Sequence, residues 1–135
     1  MREQLEHTLE ELEVREYADL RGYVPMDGGL ERFYRQCHLL LHVSWTEGMP
    51  QVLLEAFAAR LPVVATAVGG VAEAVVGRAL LTPPGDAAHA ASQLRILAGD
   101  RSLRQRLTEA GAEHVRRHTV EAESRRVADF LGTSS

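Results

Sequence analysis

Residues 39–66, LLLHVSWTEGMPQVLLEAFAARLPVVAT, hold the pattern that decides the fold. Two apolar runs, 39–43 and 62–66, are continuous rather than alternating, which is typical of parallel strands covered on both faces. Between them, residues 51–60 have the composition of a helix. A strand, a helix and a second strand in that order predict a right-handed crossover, and therefore a parallel sheet.

The alternation of strands and helices continues on both sides of this segment. Towards the N-terminus the pattern predicts a helix at 3–13, a strand at 17–24, and a helix that starts at Asp27 and reaches Gln36. Towards the C-terminus it predicts a helix at 71–76, a strand at 79–81, a helix capped by Asp86 and running to Leu97, a helix through Ala110 and others to about Leu131. We therefore expect an α/β fold, a Rossmann-like open parallel sheet flanked by helices, with a helical C-terminal layer.

Length and composition indicate one globular domain over residues 1–135. Hydrophobic residues make up 45% of the chain and charged residues 25%, which argues against a disordered or membrane-spanning protein. A net charge of −4 argues against a nucleic-acid partner. The single cysteine, Cys37, cannot form an internal disulfide, so the chain is predicted to be cytoplasmic. Cys37, His38 and His42 lack a cluster of further ligands, so no metal site is predicted.

The loops after the two apolar strands are the expected place for a ligand, because open α/β sheets bind ligands beyond the carboxyl ends of their strands. The first loop, 44–49, enters its helix through Gly48-Met49-Pro50, with the proline at the first helical position. Backbone amides around Met49 to Val52 then carry the positive end of the helix dipole. Such amides favour a phosphate or sugar hydroxyls.

Two glutamates frame this helix start. Glu55 is the one carboxylate in an otherwise apolar helical stretch, and a buried carboxylate is costly unless a partner binds it. At about 1.5 Å per residue it lies roughly 7–8 Å along the axis from Pro50, where the two hydroxyls of a ribose could pair with it. Glu47 stands at the other end of the same pocket. The alternatives are a salt-bridged core carboxylate for Glu55 and a surface loop residue for Glu47.

The second loop contains Gly69 and Gly70. Paired glycines let the backbone approach a ligand closely because they lack Cβ. The alternative is a tight turn that requires positive φ.

Together these segments resemble the C-terminal domain of retaining glycosyltransferases with the two-domain GT-B architecture. The resemblance extends from about residue 17 to the C-terminus. The segments that carry it are SWTEGMP at 44–50, LLEA at 53–56, LPVVAT at 61–66, VGG at 68–70 with Glu73, and PGD at 84–86.

The resemblance implies a nucleotide-diphosphate sugar as substrate, no metal, no cofactor and transfer of a hexose with retention. It implies that Glu47 acts catalytically, contacting the donor sugar near its anomeric carbon, and that Glu55 binds the ribose. The sugar hydroxyls and diphosphate would be held by the backbone of Gly48, Met49, Pro50, Gln51 and Val52. Tyr23 and Val24 would line the base site, and Gly69, Gly70 and Glu73 would lie near the reacting end.

The resemblance also implies that the chain is one half of a larger enzyme. The family's basic pair and first sheet strand would precede Met1, and an acceptor-binding half would complete the enzyme. We therefore expect little or no turnover by the chain alone, and a possible homodimer through the open sheet edge. The alternatives are a sugar-nucleotide epimerase of the same architecture and a non-catalytic, partner-binding domain.

Overall fold

A computed structural model describes residues 1–24, 29–48 and 50–119. The chain divides into two compact units, Met1–Arg32 and Phe33–Ser135. The assignment of all 135 residues to one donor-binding domain stays a prediction.

The first unit contains helix α1, Arg2–Glu11, and a 3-10 helix, Arg15–Tyr17. The helix predicted at 3–13 is confirmed, but its apolar stripe is not buried, and Leu5 and Leu12 are exposed. The strand predicted at 17–24 is wrong, because residues 18–24 form no regular structure. A strand is held by hydrogen bonds to a neighbour, and no strand in the described ranges pairs with this segment. The predicted cap Asp27 lies outside the described residues.

Between residues 29 and 119 the predicted order of helices and strands is confirmed, whereas the part of the helical pattern predicted from 120 to about Leu131 lies outside the described residues. The elements are α2 Gly29–Gln36, β1 Leu40–His42, α3 Gln51–Ala58, β2 Val63–Thr66, α4 Val71–Ala74, β3 Leu80–Thr82, α5 Ala87–Gly99 and α6 Arg101–Arg117.

The three strands form one parallel sheet in the order β1-β2-β3. In the register of the sheet, His42 pairs with Ala65, and Ala65 pairs with Leu81. All four residues of β2 are buried, as a continuous apolar run predicts for a central strand. The same prediction is wrong for β1, since Leu41 is 39% exposed and Val43, just beyond the strand, is 63% exposed. Within the described residues β1 pairs on one side only, which leaves its outer edge open.

Helices α5 and α6 begin at aspartates. Asp86 accepts a hydrogen bond from the backbone N–H of His89, and Asp100 accepts one from that of Leu103, both at 2.8 Å. These are N-caps that satisfy amides otherwise left unpaired. The predicted helix boundary at Ala110 is wrong, because α6 continues through Gly111 to Arg117.

The core lies between the sheet and helices α3, α5 and α6. Val64 of β2 packs with Leu97 of α5 and Leu107 of α6, while Leu53 and Phe57 bury the inner face of α3. Within the described ranges, no helix is long and apolar enough to cross a bilayer.

Candidate functional site

The loops that follow β1 and β2 meet at the carboxyl edge of the sheet. The backbone N–H of Ser44 donates a 2.9 Å hydrogen bond to Oγ1 of Thr66, which is buried at the end of β2. The hydroxyl of Ser44 in turn donates to the carbonyl oxygen of Thr46 at 3.0 Å. These two bonds fix the start of the loop that carries Glu47.

The two glycines of the second loop make room for the first loop. A Cβ on Gly69 would lie 1.9 Å from the carbonyl oxygen of Glu47, and one on Gly70 would lie 2.9 Å from that of Gly48. Gly69 also has φ +48°, in the left-handed region that favours glycine. The backbone that approaches these glycines is therefore that of Glu47 and Gly48, and a ligand contact here stays a prediction.

The carboxylate of Glu47 lies beside the imidazole of His42. Its Oε1 is 3.6 Å from Nε2 of His42, and the two side chains are 32% and 17% exposed. That nitrogen is buried and has no hydrogen-bond partner among the described residues. An unpaired buried polar atom costs roughly 1–3 kcal/mol, and such atoms are often found where a site binds or reacts. The sequence interpretation treated His42 as an ordinary imidazole and missed this contact.

Helix α3 starts without a side-chain cap. Its N-cap is Pro50, whose side chain has no acceptor, whereas α5 and α6 are capped by Asp86 and Asp100. The helix begins at Gln51, so the prediction that the proline occupies the first helical position is wrong by one residue. The amides of Gln51 and Val52 lie at the positive end of the helix dipole, where an anion is stabilised.

One turn further along α3, Glu55 is half-buried and held by a tyrosine. The hydroxyl of Tyr34, on α2, donates a 2.8 Å hydrogen bond to Oε2 of Glu55. Burial, followed by the hydrogen bond and charge of Glu55, raises the pKa of the Tyr34 hydroxyl far above its usual range. The phenol therefore stays a neutral donor. Because a carboxylate can accept about four hydrogen bonds, this bond leaves Oε1 available.

Tyr34 belongs to the candidate site, and the sequence interpretation did not identify it. It is buried, and it lies 21 positions before Glu55 on a different helix. Neither spacing nor periodicity connects two residues so far apart in the chain.

The described contacts do not join every predicted site residue to Glu47 and Glu55. Tyr23 and Val24 belong to the first unit, where Tyr23 is exposed. Met49 lies outside the described residues. Glu73 is exposed on α4, which begins directly after Gly70.

A cavity of about 230 Å³ lies beside the first loop at the same edge of the sheet. Trp45 and Gly85 line it together with Thr66 and Thr82, whose side chains are buried. A Cβ on Gly85 would lie 2.6 Å from Cη2 of Trp45, so this glycine lets the six-membered ring of the indole approach the loop after β3. Nowhere in the described ranges do three His, Cys, Asp or Glu side chains form a group that could hold a metal ion.

The sequence matches the model of the family described as glycosyl transferases group 1 over residues 1–114. Because this match covers most of the chain, the protein belongs to that family. The expected family and the α/β fold are thereby confirmed. No curated protein matches the sequence.

Solved structures of glycosyltransferases share the fold. Sucrose-phosphate synthase from Thermosynechococcus elongatus is 24% identical with a TM-score of 0.81, covering 99% of this chain and 35% of its own. HepE of Anabaena in complex with UDP is 22% identical with a TM-score of 0.84, covering 97% of this chain and 36% of its own. The C-terminal domain of the group 1 family protein LpcC from Francisella tularensis is 24% identical with a TM-score of 0.76, covering 87% of this chain and 61% of its own. The chain thus spans about a third of the first and second of these structures.

Proposed function

We propose that this chain is the nucleotide-sugar-binding domain of a retaining glycosyltransferase that transfers a hexose from a nucleotide diphosphate sugar. The observation that carries the proposal is the uncapped start of α3 between Glu47 and Glu55. Amides that favour an anion and two carboxylates that accept hydroxyl hydrogen bonds match the diphosphate, the sugar and the ribose of such a donor. The structure of HepE with UDP-glucose supports the choice of probe.

In the proposed reaction the leaving group is a nucleoside diphosphate, on which negative charge accumulates as the glycosidic bond breaks. The amides at the start of α3 stabilise that charge because they are fixed in place before the reaction begins. The packing of Gly69 against the Glu47 carbonyl fixes the loop that carries the Glu47 carboxylate beside the sugar. Tyr34 orients Glu55 towards the ribose.

Calorimetric titration of the chain with UDP and with UDP-glucose tests this assignment. Glu55→Gln keeps an acceptor for Tyr34 but removes the charge, and we expect it to weaken both ligands about tenfold, as the loss of one charge-assisted hydrogen bond predicts. Glu47→Gln should weaken UDP-glucose and leave UDP unchanged, since Glu47 faces the sugar. Glu109→Gln, on the exposed surface of α6, is the matched control. Failure of the unmodified chain to bind either ligand would overturn the proposal.

We also propose that the chain alone does not turn over the donor. Catalysis requires donor and acceptor to be held together, and an acceptor-binding half would supply that geometry. Incubation of the chain with UDP-glucose and simple sugars should release no UDP above the uncatalysed rate. Release that Glu47→Gln abolishes would contradict this expectation.

A partner-binding role is the second candidate, favoured by the open edge of β1. Leu41 and Val43 expose apolar surface there, and an unpaired strand edge is a template for association. Gel filtration distinguishes the two candidates. A dimer that Val43→Lys converts to a monomer, without change in UDP affinity, would support association through this edge, whereas a monomer at all concentrations would exclude a homodimer.

A further inference from the structure

A second cavity, of about 310 Å³, lies between the turn after α4 and the last turns of α6. Its polar lining consists of Arg78, Glu113, His114, Arg117 and His118, and we call it the basic cavity. None of these residues belongs to the site between Glu47 and Glu55.

The charges that line the basic cavity are mainly positive. Glu113 is the one carboxylate among the described residues that line it, and Arg116 and Arg117 already pair with it at 2.6 and 2.7 Å. The hydrogen bond from Arg117 and the charge of Arg116 hold the pKa of Glu113 below its usual value. Arg78 and Arg117 carry two positive charges, and Glu113 carries one negative charge. The described lining is therefore positive even when both imidazoles are neutral.

The two histidines lie next to each other, His114 in the last turn of α6 and His118 directly after the end of that helix. The ring centroids of His114 and His118 are 4.4 Å apart, with the planes tilted by 43°. Burial, followed by the charges of Arg78 and His118, lowers the pKa of His114. Protonation of His114 is therefore opposed by its burial and by the Arg78 guanidinium that lines the same cavity.

The dipole of α6 does not explain why all of these cations lie at the basic cavity. Basic residues in the last turn of α6 are stabilised by the negative end of its dipole, but Arg78 comes from another element. Its Nη1 donates a 3.1 Å hydrogen bond to the carbonyl oxygen of Ala74, which holds the side chain at the end of α4. The fold thus directs a guanidinium from the turn after α4 to the same cavity as the imidazoles of α6.

We propose that the basic cavity binds the phosphate group of a phosphorylated ligand. The Arg78 guanidinium and the His114 imidazole line the same cavity and present several N–H donors to one tetrahedral oxyanion, which has acceptors on every side. The volume leaves room for part of the group that carries the phosphate. Binding strengthens as the pH falls, because protonation of His114 adds charge opposite the anion. By linkage, the bound anion raises the pKa of His114.

Proton NMR of the histidine rings in the full chain tests the site, with inorganic phosphate as the probe at pH 6 and constant ionic strength. We expect saturable shifts of the His114 and His118 signals and an upward shift of the His114 titration. His7, exposed in the first unit, serves as an internal reference and should not shift. Arg78→Gln should weaken phosphate about tenfold, the loss expected for one charge-assisted hydrogen bond.

Arg95→Gln, on the exposed surface of α5, is the matched control and should leave phosphate affinity unchanged. Circular dichroism checks that Arg78→Gln is folded, and His114→Gln provides a second variant in which affinity must also fall. Shifts that do not saturate, or that Arg95→Gln reduces as much as Arg78→Gln, would overturn the proposal.

Vesicles distinguish the source of the phosphate. Co-sedimentation with vesicles of phosphatidic acid in phosphatidylcholine, abolished by Arg78→Gln, would identify a lipid headgroup as the ligand. Saturable NMR shifts without co-sedimentation would identify a soluble phosphate compound. The absence of both would show that the cavity binds no phosphate. None of these outcomes depends on UDP binding, so failure of the phosphate proposal would leave the proposed donor-binding function untouched.

Discussion

The hydrogen bond between Tyr34 and Glu55 determines how the Glu55 carboxylate is held. Tyr34 is buried, Glu55 is half-buried, and the hydroxyl lies 2.8 Å from Oε2. A phenol that remains protonated gives a fixed donor on one side of the carboxylate. The proposed ribose would then occupy the other side, where Oε1 has remaining acceptor capacity.

Tyr34→Phe should therefore lower stability in a pH-dependent way. At pH 7 we expect a loss of about 1 kcal/mol from the missing hydrogen bond. Burial and Glu55 raise the pKa of Tyr34 in the folded chain, so the folded state holds this proton more tightly than the unfolded state. Its contribution is complete below the unfolded value of about 10 and is lost as the pH rises above it.

Urea denaturation between pH 7 and pH 11 measures this difference. The advantage of the unmodified chain over Tyr34→Phe should shrink above pH 10. Tyr17→Phe, at an exposed tyrosine, is the control and should have no effect at pH 7. An advantage that grows with pH would contradict the assigned bond.

At the scale of single elements, the two ends of α3 differ from ordinary helix ends. Its start has no capping side chain, which costs stability but leaves the first amides available for a ligand. Its end places Arg60 at φ +57°, a left-handed position that glycine occupies more readily. The backbone N–H of Leu61 donates to the carbonyl oxygen of Ala56 at 2.9 Å, which fixes this reversal of the chain.

Arg60→Gly should stabilise the chain by about 0.5–1 kcal/mol, because it removes the strain of a side chain in the left-handed region. Thermal unfolding should show a rise of a few degrees. Arg95→Gly makes the same substitution inside α5 and should destabilise by about 1 kcal/mol, as glycine does in a helix interior. Changes of the same sign in both variants would contradict the assigned geometry.

At the scale of the whole second unit, α3 and α6 are joined where Phe57 meets Gly111. A Cβ on Gly111 would lie 2.6 Å from Cδ1 and 2.9 Å from Cγ of the Phe57 ring. Glycine is unfavourable within a helix, but here it allows the two helix axes to approach.

Gly111→Ala should destabilise the chain by about 1–3 kcal/mol through overpacking, although helix propensity alone predicts stabilisation. Chemical denaturation measures the loss. Gly99→Ala is the matched control, because a Cβ there meets nothing within 4 Å, and it should be neutral or slightly stabilising. A gain in stability for Gly111→Ala would show that the helices can separate without cost.

The order of elements from residue 29 to residue 119 followed from the sequence, because it depends on local patterns. Continuous apolar runs identified β1 and β2, and Asp86 identified the start of α5. The family and the loops beyond the strands followed from the same local segments. The strand predicted at 17–24 failed because a strand requires a neighbour, which no local pattern can provide.

Contacts between distant residues were decided by the tertiary structure. The partner of Glu55, the carbonyl that fills the space beside Gly69 and the ring that meets Gly111 come from other elements. The cations of the basic cavity likewise come from two elements. Strand register and helix packing bring such side chains together. The spacing of residues along the chain does not indicate which of these side chains will be in contact.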